Sequence, residues 1–250
     1  MILVELVPHS LPEISIQSAQ IFSDFPFVGG INIPDVLRLP VRSYDAVMPL
    51  VRGGHYAIPH IRCIDHPLHQ PVELIERYWK SGLKQVLVIS GDKPKAISTP
   101  VFDVTPVQLV SALKRACPDL TVYCGLDPYR SSLKEEIAYC HQKLEAGADG
   151  FFTQPFFDVN YAEVFLSQLA STNIFLGASP VTSERSLNYW TTVNNVVFPP
   201  NFELSLELNC VLARNMINLA ERMEQNIYLM PIKVDAMAYL DGIFGRKNIN

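Results

Sequence analysis

The chain has 250 residues, of which 48% are hydrophobic and 18% charged. That balance excludes a disordered chain, and a chain of this size can bury a full core without metals or disulfides. Twenty Lys and Arg against 25 Asp and Glu give a net charge of −5. With no basic run among them, nucleic acid is not expected as a partner.

The five cysteines are an odd number without a CxxC pair, so neither a disulfide framework nor a zinc knuckle is expected, and a reducing compartment is favoured. The first residues carry no basic n-region and no cleavage-like site. No apolar run approaches the roughly 18 residues of a membrane span. The expectation is a soluble, cytoplasmic protein with no membrane partner, forming a single domain over residues 1–250.

In chain order, short apolar runs at 2–7, 27–31, 56–61, 85–89, 120–124, 150–153, 173–177 and 226–230 read as strands. Most are continuously apolar, as parallel strands buried on both faces should be. Helical patterns cover 72–81, 107–116, 131–146, 160–170 and 204–224, with Gly82 and Gly147 as left-handed stops. Residues 32–44, with Pro34 and Pro40, read as a long loop after the second strand. The unit of strand, loop and helix recurs about eight times with no linker, and no GxGxxG follows the first strand. The fold class is therefore α/β, a single (β/α)8 TIM barrel rather than an open doubly wound sheet.

In such a barrel, chemistry gathers at the C-terminal ends of the strands. Glu5 lies inside an apolar run on the first strand. Burial there raises a carboxyl and suits a general acid, while an ion pair with a neighbouring Lys or Arg accounts for it equally well. Ser90-Gly91-Asp92-Lys93-Pro94 follows the fourth strand. Its glycine lets backbone approach a ligand and presents Asp92 at the mouth; the alternative is a plain Gly-Asp turn. Gln154 ends the aromatic sixth strand. Its amide pairs a donor with an acceptor, which suits the lactam edge of a fused heterocycle, with Phe156 or Phe157 as an apolar wall. The alternative makes the phenylalanines core and Gln154 a loop cap. Phe151 and Phe152 are expected to divide between barrel interior and helix layer. His60, Cys63 and His66 lack metal-ligand spacing, so no metal is expected.

These residues together resemble the methylenetetrahydrofolate reductase family. Val4-Glu5-Leu6-Val7-Pro8 is similar to its Phe-Glu-Phe-x-Pro, and Pro59-His60-Ile61-Arg62-Cys63 to its Pro-His-Leu-Thr-Cys. Ser90-Gly91-Asp92-Lys93-Pro94 is similar to Arg-Gly-Asp-x-Pro. Ala146-Gly147-Ala148-Asp149 and Thr153-Gln154-Pro155-Phe156-Phe157-Asp158 follow the family's Ala-Gly-Ala-Asp and Thr-Gln-x-x-Phe-Asp, and Gly177-Ala178-Ser179-Pro180-Val181 its Gly-Ile-x-Pro-Val. The motifs run in order over residues 4–181.

The resemblance implies a (β/α)8 barrel that passes hydride from NADH or NADPH to FAD and then to methylenetetrahydrofolate, giving methyltetrahydrofolate for methionine biosynthesis. Glu5 would be the acid that assists ring opening, and Asp92 would hold the pterin beside the flavin. Gln154, Phe156 and Lys233 would complete the folate site. His60, Ser90, Gly91, Asp127 and Lys143 would line the flavin. Several positions depart from the pattern: Ser90 and Lys233 stand where the family has Arg, and Asp127 where it has His. The pterin half is thus better preserved than the flavin and nicotinamide half. Three readings follow: a flavin-dependent reductase, a folate enzyme working with an electron- or methyl-transfer protein partner or as a homo-oligomer, or a non-catalytic folate-binding barrel.

Overall fold

The computed structural model describes residues 1–92 and 100–245, so Lys93 and Pro94 of the Ser90–Pro94 motif lie outside the described residues. Eight parallel strands follow one another around a closed barrel: β1 (Ile2–Glu5), β2 (Val28–Ile33), β3 (Tyr56–Arg62), β4 (Gln85–Ile89), β5 (Thr121–Leu126), β6 (Gly150–Pro155), β7 (Ile174–Ala178) and β8 (Asn226–Leu229). β8 closes on β1 with Leu3 opposite Tyr228. All eight strands read from the sequence are present, with ends shifted by no more than two residues.

The helices are α1 (Leu11–Asp24), α2 (Ser43–Ala46), α3 (Met48–Arg52), α4 (His69–Lys80), α5 (Pro106–Ala116), α6 (Leu133–Glu145), α7 (Val159–Ser167), α8 (Glu184–Val193), α9 (Leu206–Arg222) and α10 (Ala236–Phe244). The five expected helices are α4, α5, α6, α7 and α9. Their starts follow local chemistry. Thr105 and Gln108 form a reciprocal capping box at α5, as Ser132 and Glu135 do at α6. Gly82 and Gly147 take φ of +104° and +107° just beyond α4 and α6, a region that side chains with a Cβ rarely enter. The sequence reading left α1, α8 and α10 unassigned, along with the short α2 and α3.

Alternation along the strands divides the core in two. Leu3, Ile58, Leu87, Tyr123, Phe152, Phe175, Tyr228 and Met230 form a cluster of their own inside the barrel. Val4, Ile31, Val88, Phe151 and Leu176 belong to the larger shell between strands and helices. Phe151 and Phe152 therefore divide as expected, and Phe152 stacks on Phe175 with ring centroids 4.2 Å apart. The interior cluster is a floor: residues two further along each strand share its face, one layer nearer the mouth.

Candidate active site

That next layer is where the polar residues gather. Counting two from Leu3, Ile58, Leu87, Tyr123 and Phe152 gives Glu5, His60, Ile89, Gly125 and Gln154. All five line one cavity of about 440 Å³ at the C-terminal end of the barrel, together with Ser90, Gly91, Asp92, Asp127, Arg62 and Arg130. The volume lies within the range of small-molecule sites. Phe152, Tyr228 and Met230 supply its apolar floor.

Glu5 is partly buried, and desolvation pushes its carboxyl up to about 7, opposed by a hydrogen bond from the Tyr228 hydroxyl. No Lys or Arg pairs with it among the described residues, so the ion-pair reading of Glu5 is not the one realised. A carboxyl in this state is substantially protonated near neutral pH. His60 is buried and held neutral, its titration lowered to about 3 by desolvation, and its Nε2 bonds Asn32 Oδ1.

Asp92, after β4, and Gln154, on β6, are exposed on the cavity wall with β5 between them. Gly91 takes φ of +87°, and a Cβ on it would stand 3.0 Å from Arg62 Cζ. The turn that presents Asp92 is therefore packed on an arginine rather than hanging free. Arg62 itself donates through Nε to both Asp65 oxygens at 3.1 and 3.0 Å. Arg62 was visible in the sequence as a strand-end residue, but nothing there marked it as a site residue. Asp127 lines the cavity with its carboxyl raised by desolvation, and its Oδ1 accepts from Tyr129 N at 3.0 Å.

Four candidate residues stand elsewhere. Phe156 is fully buried in the helix layer, against Tyr161 and Phe165 at centroid distances of 5.6 and 5.8 Å. The pairing of β6 with β7 shifts register between Phe152 and Pro155, so the alternation that carries Gln154 into the cavity does not continue to Phe156. Phe157 packs with Trp190, Phe198 and Phe202. The apolar wall assigned to these rings is provided instead by Phe152, Tyr228 and Met230. Lys143 is 1% exposed and points behind β5, donating to the Gly125 carbonyl at 2.7 Å and standing 3.9 Å from Glu136. Lys233 is exposed beside a second, smaller cavity of about 240 Å³, which it lines with His9, Glu13 and Asp235 and which adjoins the first through Glu5.

A flavin, implied by the resemblance, needs room for a flat ring and cations for its diphosphate. Gly125 leaves the β5 wall without a side chain at the level of Glu5; a Cβ there would already meet Ile89 at 3.3 Å. Ser90 is neutral and Lys143 faces away, but Arg62 and Arg130 both line the cavity. The lining fits a flavin, with exposed Arg130 available to its diphosphate in place of Lys143, while Arg62 is bonded to Asp65 and the Asp92 carbonyl. Among the described residues no cluster of His, Cys, Asp or Glu is suited to a metal ion, and no helix is long and apolar enough to cross a membrane.

An eight-stranded barrel with a ligand-sized polar cavity at its mouth defines the class. The family profile described as methylenetetrahydrofolate reductase matches residues 50–215, and the chain belongs to that family. Glu5 and Lys233 lie outside the matched stretch. The chain is 32% identical over 155 residues to a 5,10-methylenetetrahydrofolate reductase of Pectobacterium carotovorum, covering 59% of this chain and 51% of the relative. It is 28% identical over 155 residues to the Escherichia coli protein of the same name, covering 59% and 52%. The chain thus spans about half the length of the curated relatives it matches. Among solved structures it is similar to an uncharacterized protein from Clostridium thermocellum that binds two copies of 5-methyl-5,6,7,8-tetrahydrofolic acid. The TM-score is 0.70 at 12% identity, over 97% of this chain and 92% of the other, a likeness of fold.

Proposed function

We propose that this chain reduces methylenetetrahydrofolate to methyltetrahydrofolate in a flavin-dependent reaction. Members of the family generally depend on a flavin, and the Clostridium thermocellum barrel binds the methylated folate. The observation that carries the reading is Glu5, a carboxyl raised to about 7 by burial, on the same cavity as Asp92 and Gln154.

The substrate's five-membered ring must open to an iminium before its one-carbon unit can accept hydride. Glu5 gives its proton to the ring nitrogen that leaves. Gln154 binds the lactam edge of the pterin through its amide, and Asp92 accepts from the pterin's ring N–H and amino group. His60, being neutral, adds no charge beneath the opening ring. Phe152, Tyr228 and Met230 exclude water from the floor. A flavin bound here would supply the hydride, and exposed Arg130 would hold its diphosphate.

The test is anaerobic. Protein loaded with FAD and reduced chemically is mixed with methylenetetrahydrofolate, and methyltetrahydrofolate is measured by chromatography alongside the flavin absorbance. Product formed with flavin reoxidation supports the reading. Product formed only when a further protein is added favours the partner-dependent alternative, which leaves the electron donor, NADH or NADPH, to that partner. Folate binding without product leaves the non-catalytic barrel.

A further inference from the structure

We propose that Tyr228 and Asn32 are positioning residues that hold Glu5 as a directional proton donor. The inference rests on Glu5 being the acid of the reading above. The relationship is one of barrel closure: β8 returns to β1, so Tyr228 lies opposite Leu3 and its hydroxyl reaches up to Glu5 Oε2. On the other side of β1, Glu5 is level with Asn32. The same hydroxyl stands 3.3 Å from Asn32 Oδ1, which also takes the Nε2 bond of His60. Four strands thus contribute to one polar chain: Glu5, Tyr228, Asn32 and His60.

The chemistry of the chain is specific. A phenol has one proton to give, and here Glu5 Oε2 receives it. The carboxyl's own proton is then left to Oε1, the oxygen Tyr228 does not claim. Asn32 is fully buried, and its Nδ2 has no hydrogen-bond partner among the described residues. A buried amide with one end unsatisfied is unfavourable, and the phenol's one proton is already given to Glu5, so the satisfied orientation turns the Asn32 amide over and donates its NH2 to the Tyr228 oxygen and to Nε2 of neutral His60. Without Asn32 and His60 behind it, the phenol could turn from the carboxylate within its ring plane.

The charged groups around Glu5 do not set its titration. Arg62, Asp92, Asp127 and Arg130 line the same cavity, and His9, Glu13, Lys233 and Asp235 line the adjoining one. The forces acting on the carboxyl are burial, which raises it, and the Tyr228 hydrogen bond, which lowers it. Removing the hydroxyl therefore moves the carboxyl further up, while also freeing its rotamer.

The experiment uses Tyr228→Phe, which keeps the ring in the floor, and Asn32→Ala as a second variant. The titration of Glu5 is read by infrared spectroscopy of the whole protein across pH, with Glu5→Gln identifying its carboxylic acid band. This readout needs no turnover, so it stands apart from whether the protein reduces folate. The expected result is a midpoint higher by about one pH unit in Tyr228→Phe and a smaller rise in Asn32→Ala. In turnover, the alkaline limb of the rate should move up in step while the plateau falls about 10-fold or more. An unmoved midpoint in Tyr228→Phe, with the wild-type fold retained by circular dichroism, overturns the proposal. A plateau that falls with no movement of either the limb or the infrared midpoint does the same, since that is the signature of a packing role alone. A moved midpoint in a protein that reduces no folate keeps the positioning relationship and rejects the reaction.

Discussion

The Arg62 guanidinium donates to the backbone carbonyl of Asp92 at 2.7 Å, so a side chain from the end of β3 fixes the turn that follows β4. Asp65 holds the other edge of the same guanidinium, and Arg42 links Asp65 to Asp35. Set beside the family motifs, a guanidinium has moved one strand over: Ser90 stands where the pattern has Arg, and Arg62 where it has Thr.

This relationship predicts that Gly91→Ala loosens the turn. An added Cβ is strained at positive φ and would meet Arg62, whose head is already committed to Asp65. Strain of about 1 kcal/mol at the glycine, with displacement of the carbonyl contact, should weaken folate binding about tenfold. Arg62→Lys should act in the same direction, because an ammonium cannot bridge Asp65 and the Asp92 carbonyl as a planar fork does. Folate titration by calorimetry checks both, and unchanged affinity in both variants would show that the turn needs no support.

Glu5 carries a prediction for stability as well as for rate. Its folded pKa, about 7, lies above the ordinary 4.5. The folded state therefore holds a proton that the unfolded state has released between those two values, and stability is lost as pH rises through that window. Glu5→Gln has no such dependence. It should match the wild type at pH 4 and exceed it at pH 8 by about 2–3 kcal/mol. In the reaction the same variant should lose about 10²–10⁴-fold. Urea melts at the two pH values decide the first claim, and equal stability gains at both would disprove it.

How much of this was legible follows from which residues depend on long-range pairing. The barrel could be read because each strand is a local apolar run and the order of units is local too. Glu5, Asp92 and Gln154 could be placed at one mouth because parallel strands put all their C-terminal ends together. α1 was missed although Ser10 caps it and Pro12 opens it, since its first turns mix apolar and polar residues without a clear stripe. Phe156 was misplaced because the register shift at the end of β6 depends on how β7 pairs. Lys143 was misplaced because a helix position does not say whether a lysine turns inward. The Tyr228 partner of Glu5 is 223 residues away and appears only when β8 closes on β1.

Gln154 is exposed to the cavity, which Asp92 also lines. A ligand amide left without its partner costs about 1–3 kcal/mol. Gln154→Ala should therefore weaken folate binding by about 5–150-fold while leaving the melting temperature close to wild type, because an exposed side chain contributes little to folding. Asp92→Ala should weaken it as well. Wild-type affinity in both variants would remove the pterin from this cavity.

The last prediction separates two basic residues that both pair with Glu136. Lys143 is buried with Glu136, donates to the Gly125 carbonyl, and has its titration lowered by desolvation. Arg130 also pairs with Glu136, but from the cavity side, and is itself exposed. Lys143→Ala leaves a buried carboxylate with one cation fewer and should cost about 2–4 kcal/mol of stability. Its effect on FAD at a temperature where the variant is folded should be small. Arg130→Ala also takes a bonded cation from buried Glu136 and should cost stability too, but it alone should weaken FAD binding in folded protein, by about 10-fold or more, as expected for a charge-assisted contact to a phosphate. Equilibrium dialysis against FAD and FMN reads the difference, since FMN carries one phosphate rather than a diphosphate. If Lys143→Ala abolishes FAD binding in folded protein and Arg130→Ala does not, the inward lysine is the phosphate ligand after all. If neither variant nor the wild type binds FAD at high micromolar concentration, the flavin-dependent reading falls.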